Sequence, residues 1–323
     1  MLFVLFVSIG MSWFAVRLRY AENQRQAIAM IQRLGGSVYY DHTVDDVGNF
    51  LPFAPSRGPR PTTLRRLLGN DFFDRAVCFY SRSKMNDVAL EWCRNLPYLR
   101  RVNVDFSEVT DAGLKHLAGN IRLASLEVAG TRVGDGGLEH LTHLRNLRRL
   151  DLSATKVSDA GLKHLRGIVG LQELSLAETD VGDQGIMQLR GMSELRSLTL
   201  DGTRISDATL KTIAELPQLE ELRVQGTAIT DAGLAHLRKL SQLRLLDLRY
   251  SLVTDAGMRR LTTLPALEKL YLANTTITAS AVQHYRMQVP HVKIDQEADI
   301  DSTSYARDSR QTLGRENATG PVK

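Results

Sequence analysis

Several kinds of chemistry are missing from this sequence. It has no glycine-rich phosphate loop, no Gly-x-Ser-x-Gly elbow and no Cys-x-x-Cys pair. Its two cysteines, Cys78 and Cys93, leave the redox compartment open. No acid, base and nucleophile fall together, so catalysis is not expected, and neither a cofactor nor a small-molecule substrate is implied. Strong charge of one sign is also lacking. The net charge of +5 comes from residues 1–101, with 14 basic and 8 acidic side chains, while residues 102–297 carry 23 and 24. A long stretch that neutral argues against nucleic acid as a partner. Only residues 1–16, MLFVLFVSIGMSWFAV, form a long uncharged apolar run, and they fall short of the roughly 20 residues of a spanning helix.

What is present is repetition. Val109-Thr-Asp-Ala-Gly-Leu114 returns at Val133, Val157, Val181, Ile205, Ile229 and Val253, with worn copies at Met85 and Ile277, always at a step of 24. A fixed period of that size signals a repeat architecture. Each unit has two halves. Leu150 and Leu152 alternate with polar residues, as in a strand with one buried face. Leu162 and Leu165 share one face of a short helix. Ser158 and its equivalents Asn86, Thr110, Gly134, Gly182, Ser206, Thr230 and Thr254 are residue types favoured at a helix N-cap. The Asp that follows each of them, as Asp159 does, suits the positive end of the helix dipole in its own turn.

One unit alone cannot close a core, whereas stacked units bury each other's apolar faces. Each buried aliphatic side chain contributes roughly 1.5–3 kcal/mol before entropy. Strands at about 4.8 Å spacing form a parallel sheet, and the wider helices opposite make the stack curve with its strands inside. The pattern Leu-x-x-Leu-x-Leu-x-x-(Thr/Ser)-x-(Val/Ile) resembles the leucine-rich repeat over about residues 76–295. The wording Thr-Asp-Ala-Gly-Leu is similar to bacterial membrane-anchored proteins of that family, and to the repeat half of F-box proteins, although no F-box segment is present. The resemblance implies an α/β fold, a right-handed solenoid with a curved parallel sheet inside and short helices outside, and a protein ligand. Thr or Ser replaces the family's usual Asn, at Ser83, Ser107, Thr131, Thr155, Thr179, Thr203, Thr227, Ser251 and Thr275. These hydroxyls are expected to bond the backbone of the next rung.

The organisation expected is an apolar membrane anchor at 1–16, an amphipathic helix at 17–36, an N-terminal cap at 37–75, repeats with a C-terminal cap at 76–297 and a disordered tail at 298–323. A cleaved signal peptide and a buried core helix are the other readings of 1–16. The topology stays open, because Arg17, Arg19 and Arg25 place the repeats in the cytoplasm unless basic residues precede Met1. In the second segment Ala27, Ile28, Ile31 and Leu34 lie on one side, and Gly35-Gly36 ends the helix. Phe72 and Phe73 should be buried. Arg65 and Arg66 read as a solvated helix face, with contact to anionic lipid as the other reading. Cys78 falls in the column of Val102 and Cys93 in that of Leu117, both core. The column His116, His140 and His164 reads as ordinary convex surface, so no metal is expected.

Core columns are occupied by folding, so binding falls to the strand residues between them. One concave column runs Asn103, Glu127, Asp151, Ser175, Thr199, Arg223, Asp247, Tyr271. The next runs Asp105, Ala129, Ser153, Ala177, Asp201, Gln225, Arg249, Ala273. The partner-binding candidates are Arg223, Gln225, Asp247, Arg249 and Tyr271, because Arg and Tyr are enriched at interface hot spots. The expected function is a membrane-tethered module that binds a protein. A structural or self-associating envelope scaffold, or a substrate-recognition subunit, is the alternative. Replacing Leu174 with Asp would put a charge in the shared core and should abolish the cooperative melt, a loss above about 4 kcal/mol. An unchanged melting curve would mean the register is wrong.

Overall fold

The computed structural model describes residues 2–42, 63–68, 70–80 and 85–296, with residues 2–10 as backbone alone. Residues 43–62, Ser83 and the tail expected from 298 lie outside the described residues. Helix α1 spans Leu2–Arg33, and α2 spans Thr63–Leu68. Strand β1 (Ser37–Tyr40) pairs antiparallel with β2 (Ala76–Tyr80). The strands that follow are β3 (Arg101–Asn103), β4 (Ser125–Glu127), β5 (Arg149–Asp151), β6 (Glu173–Ser175), β7 (Ser197–Thr199), β8 (Glu221–Arg223), β9 (Leu245–Asp247), β10 (Lys269–Tyr271) and β11 (Lys293–Asp295). From β2 onward all pair in parallel and in chain order, as one sheet. Leu126, Leu150 and Leu174 are direct partners, which is the 24-residue step written as register.

Short helices begin at each Asp of the repeat and lie opposite the sheet, with the aliphatic columns buried between. Six of the expected caps form through side chains: Asn86, Thr110, Ser158, Ser206, Thr230 and Thr254 each accept from the N–H two residues on. The Asp residues do more than face their own helix. Asp135 Oδ1 accepts from the Ser158 N–H at 2.8 Å, and its Oδ2 accepts from the Ser158 hydroxyl at 2.6 Å. Asp87, Asp183, Asp207, Asp231 and Asp255 repeat this two-point bond to the following rung. Where the cap is Gly134 or Gly182, only the N–H bond to Asp111 or Asp159 remains. The carboxylates therefore form a ladder between rungs, which corrects the purely local reading.

That ladder explains the recurring glycine. A Cβ on Gly161 would sit 2.4 Å from Asp135 Oδ1, and one on Gly185 the same distance from Asp159 Oδ1. Thr209 occupies the same column with a side chain, and its hydroxyl turns the collision into a hydrogen bond to Asp183. The Thr/Ser column also differs from expectation. Thr131, Thr155, Thr179, Thr203 and Thr227 donate to the carbonyl three residues back in their own rung, not to the next one. They close the turn after each strand, where a left-handed residue sits: Phe106, Ala154, Glu178, Tyr250 and Asn274, alongside Gly130, Gly202 and Gly226.

The ends of the array are built differently. α1 runs through the expected boundary at residue 16 without a break, and its later turns cap the solenoid. Ala27, Ile28 and Ile31 are buried in the main core, whereas Leu34 falls beyond the helix and is exposed. Gln24 is fully buried and makes four bonds, donating to Asp71 and to the Asp74 carbonyl and accepting from Ala76 N–H and the Tyr20 hydroxyl. The cap expected at 37–75 thus includes this helix. Phe72 is buried and Phe73 only half-buried. Arg65 turns inward to a bidentate pair with Asp74 at 2.7 and 2.9 Å, so only Arg66 is a solvated face. Phe79, not Cys78, pairs with Val102, because the first strand-to-helix connection is one residue shorter. Cys78 joins a small cluster with Val77 and Tyr80, and Cys93 stays in the main core, so both thiols are free and buried. At the far end Tyr285 fills the leucine position and β11 closes the sheet. Among the described residues no helix is long and apolar enough to cross a membrane.

Glycine-to-alanine changes separate the ladder from simple helix propensity. Alanine favours a helix by about 1 kcal/mol, yet Gly161→Ala should lower the melting temperature by displacing Asp135. Gly119, which faces open space, should tolerate alanine with no loss or a small gain. A higher melting temperature for Gly161→Ala in thermal denaturation would contradict the ladder.

Candidate functional site

Period-two alternation places three residues per rung on the concave face, not two: two on the strand and one just after it. The column missed in the sequence reading runs Arg101, Ser125, Arg149, Glu173, Ser197, Glu221, Leu245, Lys269. It lies two residues before the first column named, so the same alternation could have revealed it. Small side chains, Ser175, Ala177, Ser197 and Thr199, form the middle of the face. Distinct clusters lie on either side.

Toward the N-terminus the cluster is acidic. Arg101 pairs with Glu127 at 2.8 Å, and the Ser125 hydroxyl donates to Glu127 at 3.0 Å. The Asn103 amide donates both to Glu127 and to Asp105. Asp105 Oδ1 accepts from the Ala129 N–H at 2.7 Å, and Asp151 accepts from the Ser153 hydroxyl and N–H. Burial, with the like charges of Glu127 and Asp151, pushes the Asp105 carboxyl up to about 8. Burial also raises Asp151, against the Ser153 bonds that lower it. Arg101 is pulled down by burial, but Glu127 holds it above its ordinary value overall.

Toward the C-terminus lie the five predicted residues. Asp247 is 0% exposed and serves as a support. Arg249 donates to it through Nε at 3.0 and 3.1 Å and through Nη2 at 2.7 Å, and its guanidinium lies 5.4 Å from the Tyr271 ring centroid. The Gln225 N–H donates to Asp201 at 2.8 Å. Arg223 and Tyr271 are half-buried at the surface. The structure thus joins Asp247, Arg249 and Tyr271 into one unit, with Arg223 and Gln225 on the neighbouring strand and the loop after it. Beside them opens a cleft of about 570 Å³ lined by Lys269, Tyr271, Arg286, Lys293, Ile294, Asp295 and Gln296. Arg223, Lys269, Arg286 and Lys293 form no ion pair among the described residues. Lys293 and Arg286 belong to the degenerate last rung, where the repeat no longer marks a column.

Among the described residues one group has metal-ligand spacing: Asp41, His42 and Asp74, in the N-terminal cap. Arg65 already neutralises Asp74, which leaves it a poor ligand. His116 is half-buried on the helix side, and burial, aided by Arg94, lowers its pKa and favours the neutral ring.

Residues 143–165, almost one rung, match the family model described as Leucine Rich repeat. A search of the curated proteins gives no match. Among solved structures, internalin C2 (inlC2) of Listeria monocytogenes is 23% identical with a TM-score of 0.48, over 65% of this chain and 84% of that one. An internalin (inlF) of Listeria monocytogenes is 18% identical with a TM-score of 0.39, over 73% and 89%. The rung that matches the Leucine Rich repeat model has in-register copies stacked on both sides, so the chain has the architecture of a leucine-rich repeat solenoid.

The raised Asp105 sets a pH dependence. Its folded pKa of about 8 lies above the value near 3.9 for an unfolded Asp, so the folded state holds the proton longer. Its contribution to stability therefore falls as pH rises from about 4 to about 8. Asp105→Asn keeps an acceptor for Ala129 and loses that dependence. Melting curves should show the variant gaining on the parent across this window, and a constant gap would contradict it.

Proposed function

We propose that this chain is a non-catalytic binding module, held at a membrane by its N-terminal helix, that grips an acidic stretch of a protein partner at the C-terminal end of its concave face. One observation carries the reading. Arg249 is locked between Asp247 and Tyr271, so a charged and aromatic surface is ordered before binding and little entropy is lost on contact. Arg223, Lys269, Arg286 and Lys293 stand near it and form no ion pair among the described residues, so four basic side chains share the cleft region with Asp295. Their charge complements carboxylates. Asp247 contributes by holding Arg249, while Arg223, Gln225 and Tyr271 make the contact. Tethering is supported by the uncharged residues 1–16 and by the solvent-facing apolar side chains Met11, Trp13 and Val16 where the helix leaves the cap.

A photo-crosslinking residue at Gln225 should trap a partner in cells, and one at the exposed Met187 on the helix side should not. The double change Arg223→Ala and Tyr271→Ala should cut the Gln225 adduct by about tenfold or more without lowering the melting temperature. Undiminished crosslinking in that variant would move the binding site elsewhere.

A further inference from the structure

The N-terminal cap carries an inverted polarity. α2 is six residues long, and its charged Arg65 faces inward to Asp74 and stacks over Phe73. Its leucines face out instead: Leu64 is 60% exposed and Leu67, one turn on, is 80%. α1 shows the same inversion where it leaves the cap. Phe14 and Arg17 turn inward, the ring against Phe72 and the guanidinium donating to the Phe72 carbonyl at 2.8 Å. Trp13 and Val16 face solvent at 63% and 69%, with Met11 and Leu18 beside them.

Both helices pack on the same 3-10 turn, Asn70–Phe72, so their outward apolar faces flank one point of the cap. Elsewhere the large exposed apolar side chains, such as Val88, Ile121, Val169 and Met187, are spread along the repeats, which is ordinary for a protein surface. Six of them on two helices that share one turn are not.

Two further observations say what covers it. α1 continues upstream through residues 2–10, which carry no charged side chain, so the helix loses its polar face toward its start. Arg19 and Arg66 are exposed and follow or precede Leu18 and Leu67 directly in the chain, within a segment of net positive charge. Exposed apolar side chains next to exposed arginines match the acyl and headgroup layers of a lipid surface. We propose that the cap lies directly on a phospholipid surface, with the start of α1 inserted and Leu64 and Leu67 of α2 dipping in beside it. This rests on the tether reading above. It adds that the repeats are mounted on the membrane and do not hang from a flexible linker. The joint is stiff because α1 is unbroken from Leu2 to Arg33 and is pinned by Gln24.

The buried state of Cys78 and Cys93 makes a test practical, since an introduced surface thiol will take a dye alone. An environment-sensitive fluorophore on Leu67→Cys would be read in the full chain, with vesicles of phosphatidylcholine and phosphatidylglycerol and without them. Its emission should shift to the blue and rise about threefold or more with lipid, while the same dye on Val169→Cys should not change. Trp13 emission, in a Trp92→Phe background, should be quenched by brominated acyl chains. If Trp13 is quenched and the Leu67 dye stays in water, the tether survives and the mounted cap is wrong. If neither responds, the tether reading fails as well. A blue shift that depends on protein concentration without lipid would instead make this face an interface between two copies, and would overturn the proposal.

Discussion

The contact on which the array depends is the hydrogen bond from one rung's cap to the carboxylate of the rung before. Asp135, held by the Ser158 N–H and hydroxyl, occupies the space that a side chain on Gly161 would need. The cap hydroxyl also accepts from its own helix, at Ala160. One small group thus fixes the start of a helix, the spacing to the previous helix and the absence of a Cβ. Hydrophobic burial drives the stack together but is not directional. The carboxylate ladder is directional, and with the strand pairing it sets the rungs in register. Burial can only raise the pKa of such a carboxyl, yet Ser206 and Thr209 keep Asp183 below its ordinary value.

A rigid frame has a consequence for binding. The concave face is made of side chains whose backbones cannot move independently, so their charges are arranged in advance. The acidic cluster and the Arg249–Tyr271 unit stand at fixed positions on one sheet, separated by small residues. In such a setting electrostatic complementarity acts on orientation and on association rate as much as on affinity. The unbroken α1 extends the same rigidity to the N-terminal end, where Gln24 joins the helix to β2 and to the turn before it.

Much of this was legible in the residues. The 24-residue step, the leucine columns and the caps could be read directly, because each rung is built by local patterns repeated without insertion. Alternation alone placed the five candidate residues on one face, Arg223, Asp247 and Tyr271 on strands and Gln225 and Arg249 in the turns just after them. Less legible was which of them bears charge to the outside. Asp247 and Arg223 share a column, yet one is sealed beneath Arg249 and the other stands at the surface. The end caps were also poorly read. Their elements occur once, so no neighbouring copy reveals a shift such as that from Cys78 to Phe79 beneath Val102.

The sequence by itself therefore determined the fold, the repeat length and the identity of the surface columns, because periodic burial is a property of spacing along the chain. Tertiary structure alone decided the partners of polar groups. Each Thr hydroxyl turned back to its own rung because its carbonyl lies three residues away in a tight turn, while each Asp reached forward because the next cap lies directly above it. The left-handed turn residues Phe106 and Tyr250 follow the same logic. Their N–H groups must meet the carbonyls of Ala129 and Ala273 in the adjoining rung, and the ladder fixes their backbone whatever the side chain prefers.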